Sequence, residues 1–110
     1  MSLRQDFIQR AIQKFAEAIA RALGLARGGQ PEEGLSVIDD ALASGLGLPV
    51  PMLLGLTPDT VWSLLGPEKS RAFAEALRTR ALILDGAKRT SEAVRCEQLA
   101  EALEKRAHPR

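Results

Sequence analysis

The chain is poor in aromatic and in chemically reactive side chains. Aromatic residues make up 4% of its 110 residues, namely Phe7, Phe15, Phe73 and Trp62, and tyrosine is absent. A core therefore has to be built from aliphatic side chains and alanine, which favours closely packed helices. The single cysteine, Cys96, excludes a disulfide within the chain.

The chain also lacks a strong charge of one sign and any long apolar run. Fifteen basic residues stand against fourteen acidic ones, so the net charge is +1, which indicates neither a nucleic acid nor an acidic membrane as a partner. No apolar stretch approaches the roughly 20 residues that a membrane-spanning helix needs. The polar N-terminus lacks the apolar centre of a signal peptide. The sequence therefore predicts one soluble, cytoplasmic domain over residues 1–110.

The sequence contains a strong helical pattern from Leu3 to Ala26. Its apolar residues come as adjacent pairs at helical spacing: Phe7/Ile8, Ala11/Ile12, Phe15/Ala16, Ala18/Ile19, Ala22/Leu23 and Leu25/Ala26. A paired stripe is wider than one neighbouring helix can cover, so we expect later helices or a second copy to cover both of its flanks. The opposite face is predicted to be a solvated stripe: Arg10, Lys14, Glu17 and Arg21. We expect the helix to start at Ser2, with Gln5 as its capping partner, and to end before Gly28.

A second helix is predicted after a short turn. Pro31 fits the first helical position because its missing N–H would be unpaired there, and Gly45 and Gly47 are expected to stop the helix. Its predicted buried residues are Leu35, Ile38, Ala41 and Leu42. Because the turn is short, the two helices are expected to form an antiparallel hairpin.

An apolar but irregular connector follows at residues 46–56. Pro49 and Pro51 argue against a strand there, because each removes a hydrogen-bond donor. Such an apolar segment is not typical of a free linker. We therefore expect a buried connector with one helical turn near Met52 to Leu54.

The second half of the chain predicts one short helix, which Thr57 caps and Gly66 ends, and two longer helices. The first longer helix, at about residues 67–85, has the apolar face Phe73, Ala76, Leu77, Ala81 and Leu84. The second, at about residues 91–107, has the seam Ala93, Cys96, Ala100, Leu103 and Ala107. The predicted fold class is all-α, with two antiparallel helical hairpins, 3–44 and 67–107, joined by the connector and short helix at 45–66.

The second hairpin carries the pattern of a known repeat. Leu77, Ala81 and Leu84 match the large, small and large positions of the first helix of a tetratricopeptide repeat, and Ala93 and Ala100 match small positions of its second helix, so the hairpin resembles that repeat. Arg80 stands where that repeat has an aliphatic residue, and Glu97 where it has a large apolar one. The first hairpin fits less closely, because its first helix is too long for a repeat of about 34 residues. The first hairpin contains Asp6-Phe7-Ile8, Ile12, Ala18-Ile19-Ala20, Leu23-Gly24-Leu25, Ile38-Asp39, Ala41-Leu42 and Leu46-Gly47-Leu48. These residues resemble an uncharacterised bacterial family of short tetratricopeptide-like proteins, a resemblance that implies an α–α superhelical fold and no reaction.

No cluster of residues predicts a chemical site. Asp39 and Asp40 are adjacent, and neighbouring helical side chains point about 100° apart, so their carboxylates do not converge. Cys96 is expected in mid-helix without a base, as a small core residue. His108, the single histidine, lies near the C-terminus, where few neighbours would position it. We therefore expect a non-enzymatic protein with no cofactor and no metal.

Two functional hypotheses remain open. The first is a helical scaffold that forms a homodimer through a face of large and small residues: Phe7, Ala11, Phe15, Ala18 and Ala22. The second is an adaptor that binds a partner's peptide in a shallow groove, with contacts from Trp62, Arg78, Arg80, Lys88 and Arg89. The basic residues of that set would suit a phosphate or an acidic peptide. Trp62 is expected either to anchor an interface or to fill the space between the short helix and the connector.

Overall fold

The computed structural model describes residues 3–108, and this part of the chain consists of five helices without a strand. The helices are α1 (Leu3–Arg27), α2 (Pro31–Leu46), α3 (Val50–Leu53), α4 (Pro58–Gly86) and α5 (Thr90–Ala107). The all-α prediction is therefore confirmed. The expected cap at Ser2 lies outside the described residues.

Local backbone chemistry sets both ends of α2. Pro31 occupies its first position, and Gly47 closes it at φ 71°, with the Gly47 N–H donating to the Ala43 carbonyl at 2.7 Å. Glycine adopts this left-handed conformation without the steric cost that a Cβ would add. The prediction that Gly45 also stops the helix is wrong, because α2 continues through Gly45 to Leu46.

The long α4 consists of two helical segments, residues 58–65 and 67–86, which are separated at Gly66 (φ 80°, ψ 170°). Thr57 caps the first segment, since its Oγ1 accepts a hydrogen bond from the Thr60 backbone N–H at 3.2 Å. A proline opens the second segment, where its fixed φ suits a helix and its missing N–H leaves no donor unpaired. The break that the sequence predicts between a short and a long helix is thus present.

The second segment of α4 is the centre of the fold. α4 packs against α1, α2 and α5, whereas α3, the helical turn of the connector, packs against α2. The face predicted from the sequence is buried throughout: Phe73, Ala76, Leu77, Ala81 and Leu84. Three polar residues of α4 are buried as well: Ser70, Thr79 and Arg80. Because α4 has three helical neighbours, its burial extends beyond the single face that the pattern indicates.

The buried positions predicted for α2 and α5 are mostly confirmed. On α2, three are buried, namely Leu35, Ile38 and Leu42, and Ala41 is half-buried. On α5, four are buried, namely Ala93, Cys96, Ala100 and Leu103, and Ala107 is half-buried.

Helix α1 is covered along its second half, whereas one flank of its start is open. Phe15 is 3% exposed, and its ring meets the Phe73 ring edge-on, with centroids 5.9 Å apart and an interplanar angle of 90°. Ala22 is fully buried. By contrast, Phe7 is 66% exposed and Leu3 is 77% exposed. The later helices therefore leave the flank with Leu3 and Phe7 uncovered, and the expectation that a second copy covers this flank stays a prediction.

The backbones of α1 and α2 come into contact at Gly34. A Cβ at this position would lie 2.7 Å from the carbonyl oxygen of Ala22, and a helix backbone cannot move aside as a flexible side chain can. Only glycine permits this approach. The contact fixes the spacing of the two helices and hence the width of any groove between them.

We expect Gly34→Ala to lower the free energy of unfolding by about 1–2 kcal/mol, because the cost of overpacking exceeds the gain in helix propensity. Gly24→Ala is the matched control, because Gly24 lies in α1 with open space where its Cβ would be. This second substitution is expected to raise stability by about 0.5–1 kcal/mol. Urea denaturation followed by circular dichroism measures both, and equal effects would contradict the backbone contact at Gly34.

Candidate functional site

An open groove of about 520 Å³ lies between the first half of α1 and the second half of α2. Its apolar part consists of Phe7, Ala11, Phe15, Ala41 and Gly45. Its polar rim consists of Arg10, Lys14, Asp40, Ser44 and Lys69. The volume lies within the range of ligand-binding clefts. We call this feature the α1–α2 groove.

The groove depends on how two phenylalanines of α1 are placed. Phe15 turns into the core, and a Cβ at Gly45 would lie 2.7 Å from the Cζ atom of its ring, so glycine leaves room for the ring beside α2. Phe7 is about two helical turns earlier, where α1 is no longer covered. It therefore stands at the edge of the groove in contact with solvent.

The rim of the groove carries an excess of positive charge. Arg10, Lys14 and Lys69 stand against the single carboxylate of Asp40, a local balance of three minus one, or +2. None of these four side chains takes part in an ion pair within residues 3–108. The groove thus combines apolar surface with cations that form no ion pair among the described residues.

The predicted self-association face is divided by the fold. Phe15 and Ala22 are buried inside the chain, so neither is available to a second copy. Ala11 and Ala18 are half-buried, and Ala18 packs against the core. Phe7 is the member of this face that remains exposed.

Two of the basic residues predicted to contact a partner are engaged within the chain. Arg78 Nη2 donates to Glu104 at 2.5 Å, and the hydrogen bonds from Arg78 hold the pKa of the Glu104 carboxyl below its usual value. Arg89 Nε donates to Glu92 at 2.9 Å, which likewise lowers the pKa of Glu92. A further contact of 3.4 Å joins Arg89 to Glu32 on α2. These guanidinium groups hold α4, α5 and α2 together.

Arg80 is buried and is not available to a partner, contrary to the sequence expectation. It is 7% exposed, its Nε donates to Asp39 Oδ1 at 2.7 Å, and its Nη1 donates to Cys96 Sγ at 3.1 Å. Side chains from α2, α4 and α5 therefore meet at this guanidinium. The signal for its burial was present in the sequence, because Arg80 lies four residues from both Ala76 and Leu84 and so shares their face.

Cys96 has the surroundings of a structural thiol. It is fully buried, as predicted, and this burial raises the pKa of the thiol. A protonated thiol is a poor nucleophile. The cluster of Asp39, Arg80 and Cys96 is best described as a polar contact that joins three helices.

The two remaining predicted contacts lie outside the groove. Trp62 is half-buried and packs against the core, and the Arg106 guanidinium lies 5.6 Å from its ring centroid while pairing with Asp59. The expectation that Trp62 fills space inside the chain agrees with this packing. Lys88 is exposed in the turn between α4 and α5, at φ 64°.

The groove is not apparent in the sequence pattern, which predicts a solvated stripe for Arg10 and Lys14 and does not distinguish Lys69. Lys69 reaches the rim because the second segment of α4 begins next to the start of α1, where a smaller pocket is lined by Ile8, Gly66 and neighbouring residues. No local pattern predicts such a juxtaposition of residues far apart in the chain.

Comparison with family models, with curated proteins and with solved structures finds no match to this chain. Among residues 3–108, no helix is long and apolar enough to cross a membrane. The same residues contain no group of three or more histidine, cysteine, aspartate or glutamate side chains placed to hold a metal ion.

The cluster at Arg80 can be tested with two adjacent acids of α2. We expect Asp39→Ala to be less stable than Asp40→Ala by about 1–3 kcal/mol, because only the first substitution leaves a buried guanidinium without its carboxylate. The solvent access of Asp39, whose side chain is 34% exposed, keeps the effect below that of a fully buried pair. Both substitutions make the same change in charge and in helix propensity. Urea denaturation measures the difference in the free energy of unfolding between the two variants. Equal values would show that the ion pair is not stabilising.

Proposed function

We propose that this chain is a non-enzymatic helical interaction module that receives a segment of a partner protein in the α1–α2 groove. The observation that carries the proposal is Phe7, which is 66% exposed beside an open groove of about 520 Å³. A large aromatic side chain on the surface gains free energy when a partner covers it. An exposed apolar site rimmed by polar residues is typical of a protein–protein contact.

The way α1 is anchored supports this proposal. Phe15 and Ala22 hold the second half of the helix in the core, while the half that carries Phe7 is not needed to bury either residue. Covering Phe7 would therefore require no rearrangement of the described fold. A preformed surface of this kind avoids the free-energy cost of ordering the protein on binding.

A tetratricopeptide-like arrangement of the α1–α2 and α4–α5 hairpins is part of the proposal. Repeat proteins of this kind form their concave binding surface from several stacked units. Two such units, unequal in length, are too few for a broad concave surface. The α1–α2 groove, which Lys69 of α4 also lines, is the binding surface in this proposal.

A homodimer is the second candidate. Leu3 and Phe7, one helical turn apart on α1, are both largely exposed, at 77% and 66%. A second copy that packed its own Leu3 and Phe7 against them would bury four large apolar side chains. In a twofold dimer each surface faces itself, so the unpaired cations of one groove would face those of the other. This repulsion makes a different protein the better occupant.

A peptide-display selection tests the proposed function. Random twelve-residue peptides are selected on the folded protein, and each enriched peptide is compared on wild type and on Phe7→Ala. We expect enriched peptides to bind Phe7→Ala at least about ten-fold more weakly, because the anchor surface is lost. Phe7→Ala itself should unfold within about 0.5 kcal/mol of wild type, since the side chain is exposed.

Light scattering after gel filtration separates the two candidates. The proposed function predicts a mass of 11.9 kDa. A mass of twice that value, reduced to the monomer by Phe7→Ala, would favour the homodimer instead. A selection that yields no peptide dependent on Phe7 would contradict the binding proposal.

A further inference from the structure

We infer that the segment which the α1–α2 groove accepts is acidic, with a bulky apolar side chain that covers Phe7 and carboxylates that face Arg10, Lys14 and Lys69. This inference rests on the proposed function and names the chemistry of the partner. It concerns a protein segment and not a nucleic acid.

The rim of the groove is positively charged. Its three cations come from two helices, Arg10 and Lys14 from α1 and Lys69 from α4, and Asp40 is the one carboxylate among the groove residues. Arg10 and Lys14 are four residues apart, a spacing at which like charges destabilise a helix. An incoming carboxylate between them would remove this repulsion.

Positive charge is distributed unevenly over the whole chain. Helix α1 holds five basic residues and two acidic ones, which gives five minus two, or +3. The net charge of the chain is +1, so the rest of it carries −2. Helix α4 holds four basic and four acidic residues, and α5 holds three basic and four acidic ones, so neither has an excess of positive charge. Attraction for an anion is therefore concentrated on α1.

Apolar surface lies between the cations of the groove. Phe7 and Ala11 lie on the same stripe of α1 as Lys14, so an apolar side chain and a carboxylate of one segment can be bound together. An extended array of phosphates would need more cations than this groove offers, and the net charge of +1 does not favour a polyanion. The combination fits an acidic peptide with an apolar anchor better than a nucleic acid.

The test uses three short fluorescein-labelled peptides that share a central Leu-Phe-Leu and differ in their flanks. The flanks are four glutamates, four serines or four lysines, and a short oligothymidylate is a fourth probe. Fluorescence polarisation at about 50 mM salt measures each affinity. We expect the glutamate peptide to bind roughly ten-fold more tightly than the serine peptide, and the lysine peptide more weakly than both.

Two triple variants with the same change in net charge show which cations cause the preference for the glutamate peptide. In the groove variant, glutamine replaces three rim cations: Arg10, Lys14 and Lys69. In the control variant, glutamine replaces three exposed cations outside the groove: Arg27, Arg71 and Arg95. We expect the preference for the glutamate peptide to fall by roughly ten-fold in the first and by less than about two-fold in the second. Circular dichroism melts confirm that both variants fold.

The outcomes separate this inference from the proposed function. If the serine and glutamate peptides bind equally and both depend on Phe7, the proposed preference for an acidic segment is overturned. The proposal that the groove binds a partner segment is then retained. The inference is also overturned if the control variant loses as much of the preference for the glutamate peptide as the groove variant does. Tighter binding of oligothymidylate than of the glutamate peptide would overturn it as well. If no probe binds and peptide display yields nothing that depends on Phe7, the inference and the proposed function both fall.

Discussion

The contact between Phe15 and Phe73 links the core of this protein to its candidate binding surface. It joins α1 to the buried centre of α4, with the two rings edge-on at 5.9 Å. The Phe15 ring finds room because residue 45 is glycine. Since α1 is fixed on α4 at this point, Phe7 is carried beyond the covered part of the helix. The same contact therefore determines what is buried and what remains open.

Polar contacts complete the attachment of α2 to the other helices. Arg80 brings Asp39 of α2 and Cys96 of α5 together on α4. A buried guanidinium contributes little net stability once the loss of its hydration is counted, but it tolerates few arrangements of its neighbours. We regard this cluster as a constraint on how α2 lies against α4. Together with the backbone contact at Gly34, it holds one wall of the α1–α2 groove in place.

The features that were predictable from the sequence are those set by local chemistry. Pro31, Thr57 and Gly66 mark helix ends through their own backbone or side-chain properties, and helical spacing identifies the buried face of α4. The exposure of Phe7 in the single chain depends on where the later helices end, which no local pattern records. The position of Lys69 on the rim has the same long-range origin. The burial of Arg80, by contrast, was predictable from local spacing, because Arg80 lies four residues before the buried Leu84. Its charge was the reason to expect it on the surface.

The central claim is that α1 is anchored by its second half and is uncovered at its start. Amide hydrogen exchange tests this claim most directly. The account predicts that amides of residues 72–84, in the buried segment of α4, exchange slowest. Amides of residues 7–11, beside Phe7, should exchange roughly a hundred-fold faster or more, because opening the start of α1 breaks few tertiary contacts. Equal protection of the two segments in the free monomer would contradict the account, since it would mean that the start of α1 is covered.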